Sequence, residues 1–252
     1  METVWLHLAL AGSGIAAGFI NIVAGGGSLL TVPVLMLLGL PADLANGTNR
    51  LAVVSQGISG VIGFRRHGKI DTRAILPTVV PTTVGAALGA LLASRVPADL
   101  LKYLLLGIMM AMAVVMLVRP AILSPAQQRT ELSRARRVAG AVGLFAVGLY
   151  GGFVQAGVGL LLLFVLSGVL ARDLVRANAL KVVCVAVFGS AALAVYAGAG
   201  LVVWLEGGLL AGYTIIGTLI GVRFAVHAEH SMIRWIVFAC IVATCIAALI
   251  KG

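Results

Sequence analysis

The sequence predicts an all-α polytopic membrane protein built of two inverted repeats, each with four long transmembrane helices and one short broken-helix segment. Three observations lead there: an apolar content too high for a soluble domain, a set of motifs that recurs in the same order, and a Lys and Arg distribution that favours one threading of the bilayer. Of the 252 residues, 61% are hydrophobic and 10% charged, with a mean hydropathy of +1.13. An ordinary soluble domain carries about 25% charged residues. Apolar segments long enough to span a bilayer as helices occur at roughly 3–23, 50–64, 74–94, 100–118, 138–156, 182–199, 205–224 and 233–250. Two shorter pieces, 28–40 and 157–170, make eight long and two short segments, five in each half.

The first segment has no Lys or Arg before Arg50, so it lacks the charged start of a signal peptide and reads as the first helix of the mature protein. It runs into Gly18-Phe-Ile-Asn-Ile-Val-Ala-Gly-Gly-Gly-Ser28, where Gly25, Gly26 and Gly27 interrupt the helix. Inside a bilayer, interrupted backbone is tolerated only against protein or a water-filled cavity. The helix that restarts at Leu29 turns its free N–H groups and positive dipole end toward the break, an environment suited to an anion. Pro33 lies in this short helix, Pro77 and Pro81 lie in the fourth, and all seven prolines fall at or before Pro125. The first half is therefore expected to be the more kinked. A basic linker, 119–137, separates a first repeat, 1–118, from a second, 138–252.

The duplication is visible in paired motifs. Gly14-Ile-Ala-Ala-Gly18-Phe-Ile-Asn21 matches Gly148-Leu-Tyr-Gly-Gly152-Phe-Val-Gln155, and the triple glycine answers to the region of Gly157 and Gly159. Pro41-Ala-Asp43 through Asn49 matches Ala171-Arg-Asp173 through Ala179, and Gly85/Gly89 matches Gly217/Gly221. Glycines four apart in membrane helices are most simply read as close helix packing. If each half crosses five times with the N-terminus outside, the inside loops hold 14 of the 18 Lys and Arg, with the linker in the cytoplasm. Four crossings per half leave only 10 inside, because the second half then exits at Ala197 to Glu206, which has no positive residue. The inverted arrangement is the better fit, and the net charge of +10 then reads as topology rather than nucleic-acid binding.

Few polar residues fall at membrane depth. Asn21 and Gln155 occupy equivalent positions beside the two breaks, where an amide could hold an oxyanion or bond across helices. Ser28, Thr48 and Asn49 are expected at helix starts, as N-caps or as ligand contacts, and Asn178 matches Thr48. Arg50 and Lys181 are expected to open the third helix of each half, either snorkelling to the interface or neutralising a bound anion. Gln56 is a mid-segment amide with a weaker claim. All eight carboxylates fall in loops or at helix ends, so no buried Asp or Glu offers a proton or sodium relay. Cys184, Cys240 and Cys245 have no metal or disulfide spacing, and no nucleotide-binding or hydrolase motif is present, so neither an enzyme nor a cofactor is indicated.

The run Gly18 to Ser28, followed by Pro33 and Ala45-Asn-Gly-Thr48-Asn49 with a degenerate second copy, resembles the TauE/SafE sulfite exporter family of bacterial membrane permeases. The resemblance covers nearly the whole chain. It implies secondary transport, without ATP, of small sulfur-containing or carboxylate anions, such as sulfite, sulfoacetate or other sulfonates, across the inner membrane, in the export direction. It places the site at Asn21, Gly25, Gly26, Gly27, Ser28, Thr48 and Asn49 with second-half partners Gln155, Gly157, Gly159 and Asn178. Arg50 or Lys181 would add charge. The second copy has Val158 between its glycines and no hydroxyl after them, which implies an asymmetric site. The expected partners are a small anionic substrate and the lipid bilayer, with no nucleic acid; a homo-oligomer is allowed. The alternatives are a membrane-embedded scaffold subunit and a passive anion channel.

Overall fold

The computed structural model of the chain describes residues 2–23, 26–118 and 133–225. Gly25, most of the linker and the expected segment 233–250 lie outside them. Among the described residues the regular structure is entirely helical: α1 (Glu2–Val23), α2 (Ser28–Leu37), α3 (Ala42–Arg66), α4 (Thr72–Ala93), α5 (Ala98–Val118), α6 (Arg134–Phe153), α7 (Val158–Leu163) continuing into a π-helical stretch (Phe164–Val169), α8 (Leu174–Gly198) and α9 (Trp204–Ala225). Three helices, Thr72–Ala93, Leu174–Gly198 and Trp204–Phe224, are long and apolar enough by themselves to cross a membrane.

Several boundaries depart from the sequence expectation: α2 ends at Leu37 rather than 40, and α6 starts at Arg134, inside the expected linker, where Ser133 caps it by accepting from Arg136 N; three more have a physical reason of their own. The third helix of each half starts eight residues early, at Ala42 instead of 50 and at Leu174 instead of 182. Apolar runs locate a span by its lipid-facing side chains, but the polar residues here point inward: Asn46, Thr48, Asn49 and Arg50 are all 0% exposed. The two starts differ locally: α3 begins directly after Pro41 with no side-chain cap, whereas Asp173 caps α8 by accepting from Arg176 N at 3.2 Å. The break after α6 begins at Val154 rather than after 156, where Gln155 (φ 66°) and Gly157 (φ 72°) turn the chain through left-handed conformations.

α2 folds back along α1, so that a Cβ on Gly27 would collide with the Ala17 carbonyl. The α7–π stretch folds back along α6 in the same way, setting Val165 against Gly143 and Leu170 against Gly140. Each half thus opens with a helical hairpin whose tip is the glycine break. α3 and α8 cross antiparallel at the centre, Gly57 meeting Ala186, Gly60 meeting Val182 and Gly189 meeting Val54. The glycines four apart do pack helices closely: Gly18 lies against Thr214 and Gly217 against Ile15 between α1 and α9. Gly85 lies against Phe145 and Gly148 against Thr82 between α4 and α6. Exchanging the halves, α1 for α6, α3 for α8 and α4 for α9, carries each of these contacts onto another that is present.

Large apolar side chains project outward from α4 and α9, including Leu76 (71% exposed) and Leu205 (73%). Such a contiguous apolar face suits lipid rather than water. Inside, α5 packs Leu101, Leu105 and Met109 against Leu29 and Leu35 of the first hairpin and Val154 and Ala156 of the second break.

Candidate functional site

Each hairpin tip ends a helix, and a helix end leaves carbonyl oxygens without intrahelical partners and a partial negative charge. In both halves these carbonyls are met by an amide and a cation on one face of the other half's third helix. At the end of α6, Arg50 of α3 donates from Nη1 to the Gly151 carbonyl and from Nη2 to those of Gly152 (2.7 Å) and Phe153 (3.3 Å). Asn46, one turn earlier, donates from Nδ2 to the Phe153 carbonyl at 2.8 Å, while its Oδ1 receives Arg50 Nη2 at 3.4 Å. Tyr196 of α8 accepts from Asn46 at 2.8 Å and lies under the guanidinium, 5.0 Å from ring centre to Cζ. At the end of α1, Lys181 of α8 donates to the Asn21 carbonyl at 2.7 Å, and Asn178, three residues before it, donates to the Ile22 carbonyl at 3.0 Å.

Both cations are 0% exposed, so neither snorkels to the interface. They also stand within their helices, not at the starts: Thr48, Asn49 and Arg50 lie in the second and third turns of α3, and Asn178 and Lys181 in those of α8. Lys181 is therefore not a loop charge, although the topology count included it. Neither cation makes an ion pair with a carboxylate among the described residues, where the single salt bridge joins Arg172 to Asp71 at 2.6 Å. Burying an ion without a counter-ion costs several kcal/mol, and two helix ends of about half a charge each offset only part of two full charges.

The other expected site residues divide. Ser28 opens α2 as expected; Gly27 before it makes no side-chain cap, and Gly26 and Gly27 supply the carbonyls for the first turn. Asn49 accepts from Thr31 Oγ1 of α2 at 2.6 Å, and its Nδ2 has no partner. Asn21 donates to Gln56 Oε1 at 2.7 Å, so the weaker amide candidate is joined to the first break. Gln155 is 0% exposed, left-handed and unpartnered at both amide atoms. Arg50 Nε and Asn178 Oδ1 are also unpartnered. Gly157 and Gly159 begin the second short helix, Gly157 against Met112 of α5. Thr48 stands apart from the breaks and accepts from Val203 N, ahead of α9, at 2.9 Å. Gly25 lies outside the described residues.

Reading the sequence missed Asn46, Tyr196 and Thr31. The signal for Asn46 was its spacing: Asn46/Arg50 and Asn178/Lys181 both set an amide one turn before a cation. At the breaks the unpartnered groups are N–H donors of Asn49, Arg50 and Gln155 together with the amide oxygens of Gln155 and Asn178, and the donors stand beside two cations without a carboxylate partner among the described residues. Donors and positive charge in a buried setting can hold an oxyanion.

A model of the family described as Sulfite exporter TauE/SafE matches residues 10–248. The chain is 27% identical over 221 residues to a "Probable membrane transporter protein" of Haemophilus influenzae, covering 88% of this chain and 86% of that one. It is 29% identical over 222 residues to "Probable membrane transporter protein YfcA" of Escherichia coli K12, covering 86% of this chain and 80% of that one. No solved structure matches. With the family pattern spanning nearly its whole length, the chain belongs to the TauE/SafE family of membrane transporters.

Proposed function

We propose that the protein is a secondary transporter of the inner membrane that exports small sulfur-containing anions such as sulfite, sulfoacetate or other sulfonates. Its two halves, 1–118 and 138–252, act as inverted repeats joined by the cytoplasmic linker 119–137, and movement of one against the other gives alternating access. The observation that carries this reading is the pair of wholly buried cations, Arg50 and Lys181, set at the two breaks without a carboxylate partner among the described residues. A site with surplus positive charge and spare donors takes its counter-charge from a ligand.

The substrate lies between the two tips, contacted by Asn21, Ser28 and the Gly25–Gly27 backbone on one side and by Gln155, Gly157 and Gly159 on the other. Asn49 and Asn178 add amides, Arg50 and Lys181 add charge, and Thr48 anchors α3 to the segment before α9. The contacts that map onto one another when the halves are exchanged support the repeat architecture. The Arg172–Asp71 ion pair supports the topology, since it joins two loops that the five-crossing threading puts on one face. Flux of radiolabelled sulfoacetate into proteoliposomes, with sulfite and a plain dicarboxylate as competitors and with and without a pH gradient, tests the reading. Saturable uptake blocked by sulfite but not by the dicarboxylate is expected; uptake of none of these anions would remove it.

A further inference from the structure

A cavity of about 280 Å³ lies between the α3–α4 turn and the first turn of α8, away from the residues placed at the breaks. Lys69, Ile70, Asp71 and Arg73 of the first half line it together with Arg176 of the second. Asp71 is already engaged, with Oδ2 on Arg172 at 2.6 Å and Oδ1 accepting from Arg73 N at 3.2 Å. Its charge is matched by Arg172, and the exposed side chains of Lys69, Arg73 and Arg176 give the cavity a net positive lining. The rule that keeps positive residues in cytoplasmic loops accounts for their side of the membrane. It does not require that cations from both halves gather around one cavity.

The cavity also has a floor that leads to the first break. Ile70 packs on a buried apolar cluster of Ile22, Phe64, Ala179, Val182 and Val222. Two of these adjoin the break itself: Ile22 gives its carbonyl to Asn178, and Val182 follows Lys181, which holds Asn21. An apolar plug thus stands between a basic cavity open to solvent and the buried polar groups of the hairpin tip. At the opposite end of α8 the connecting segment, Ala199-Gly-Leu-Val-Val203, carries no charge.

We infer that this cavity is the loading vestibule of the transporter, where small oxyanions collect over Lys69, Arg73 and Arg176 before the plug of Ile22, Phe64, Val182 and Val222 parts. The inference rests on the transport reading and gives its export direction a physical basis, because this mouth gathers cations from both halves whereas the described segment between α8 and α9 carries none. A charged cleft of one sign raises the local concentration and capture rate of its counter-ion, and salt removes the advantage.

The test is radiolabelled sulfite and sulfoacetate uptake into inside-out and right-side-out vesicles, comparing the unaltered protein with the combined variant Lys69→Gln/Arg73→Gln/Arg176→Gln. In inside-out vesicles the variant should need about tenfold more substrate for half-saturation at low ionic strength. The difference should shrink as salt shortens the screening length, with the maximal rate retained. Right-side-out vesicles should show no change, nor should Arg95→Gln, on the opposite turn, in either orientation. Lys69→Gln alone, on an exposed turn, should show a smaller shift of the same kind and guards against misfolding of the triple variant. Flux by the unaltered protein with unchanged half-saturation in the variants overturns the vestibule alone; no flux by the unaltered protein overturns transport and vestibule together. Thermal stabilisation by phosphatidylglycerol bilayers that the triple variant loses, while its half-saturation stays put, would make the cavity a lipid headgroup site and likewise overturn the inference.

Discussion

Arg50 holds its helix end through two guanidinium nitrogens on Gly151, Gly152 and Phe153, whereas Lys181 holds Asn21 through one bond of 2.7 Å. The two substitutions that remove these charges should therefore differ in stability. Arg50→Met strands the Gly151 carbonyl and Asn46 Oδ1 and leaves the Gly152 carbonyl only the Tyr196 hydroxyl at 3.5 Å, while Phe153 keeps Asn46; at about 1–3 kcal/mol for each stranded group the loss is about 3–5 kcal/mol. Thermal unfolding in detergent should show it as a fall of about 10 °C. Lys181→Met strands one carbonyl, at about 1–3 kcal/mol, but also relieves an ammonium buried without a counter-ion. Its melting temperature should change by only a few degrees while transport is lost. Gln155 offers the converse case. Its left-handed backbone costs about 1–2 kcal/mol that glycine would not pay, and both ends of its amide are unpartnered. Gln155→Gly should raise the melting temperature by about 5 °C and weaken flux, the trade expected where a strained residue is kept for binding. Asn21, Gln155 and Ser28 were legible in the sequence because each interrupts an apolar run. Asn46 and Tyr196 were not, because their roles depend on each other across 150 positions of sequence, and only the crossing of α3 and α8 brings them together.

At the scale of elements, the glycine pairs set how closely helices approach. A Cβ at Gly148 would collide with the Thr82 carbonyl, whereas one at Gly12 would meet nothing within 4 Å. Gly148→Val should push α6 off α4 and destabilise by about 3 kcal/mol or more, while Gly12→Val should leave the melting temperature unchanged. Thermal unfolding of the pair checks both. Helix existence and packing glycines could be read from the sequence because apolar length and small-residue spacing are local properties. The starts of α3 and α8 could not, since hydropathy alone does not separate a polar residue facing the interior from one in a loop. The π-helical stretch Phe164–Val169 was likewise invisible, where the first half instead carries Pro33. α2 stays α-helical past Pro33, whereas its second-half counterpart passes from α-helix into π-helix.

For the molecule as a whole, the exchange of contacts between halves makes a claim about topology. The α3–α4 turn and the corresponding segment between α8 and α9 should lie on opposite faces of the membrane if the repeats are inverted. Single cysteines at His67 and Ala199, both exposed, placed in a background without Cys184, Cys240 and Cys245, should react with an impermeant maleimide from opposite sides of sealed vesicles. Labelling from one side would mean parallel repeats. The paired motifs and the Lys and Arg bias can be read from the sequence alone, because both are written in residue identity. The crossed arrangement cannot: each half's third helix holds the broken helix of the other, so neither hairpin tip is complete within its own half. If one half moves against the other, as proposed, the motion loosens Arg50 from α6 or Lys181 from α1, and the single Lys181 contact is expected to yield first.

If the buried charge at the breaks serves an anionic substrate, counterflow of radiolabelled sulfoacetate should depend on Lys181. In proteoliposomes containing the unaltered protein or Lys181→Gln, each shown to be folded, unlabelled sulfoacetate inside the vesicles should accelerate uptake, and the variant should reduce that uptake at least tenfold. Equal counterflow by both proteins would contradict that role of the charge.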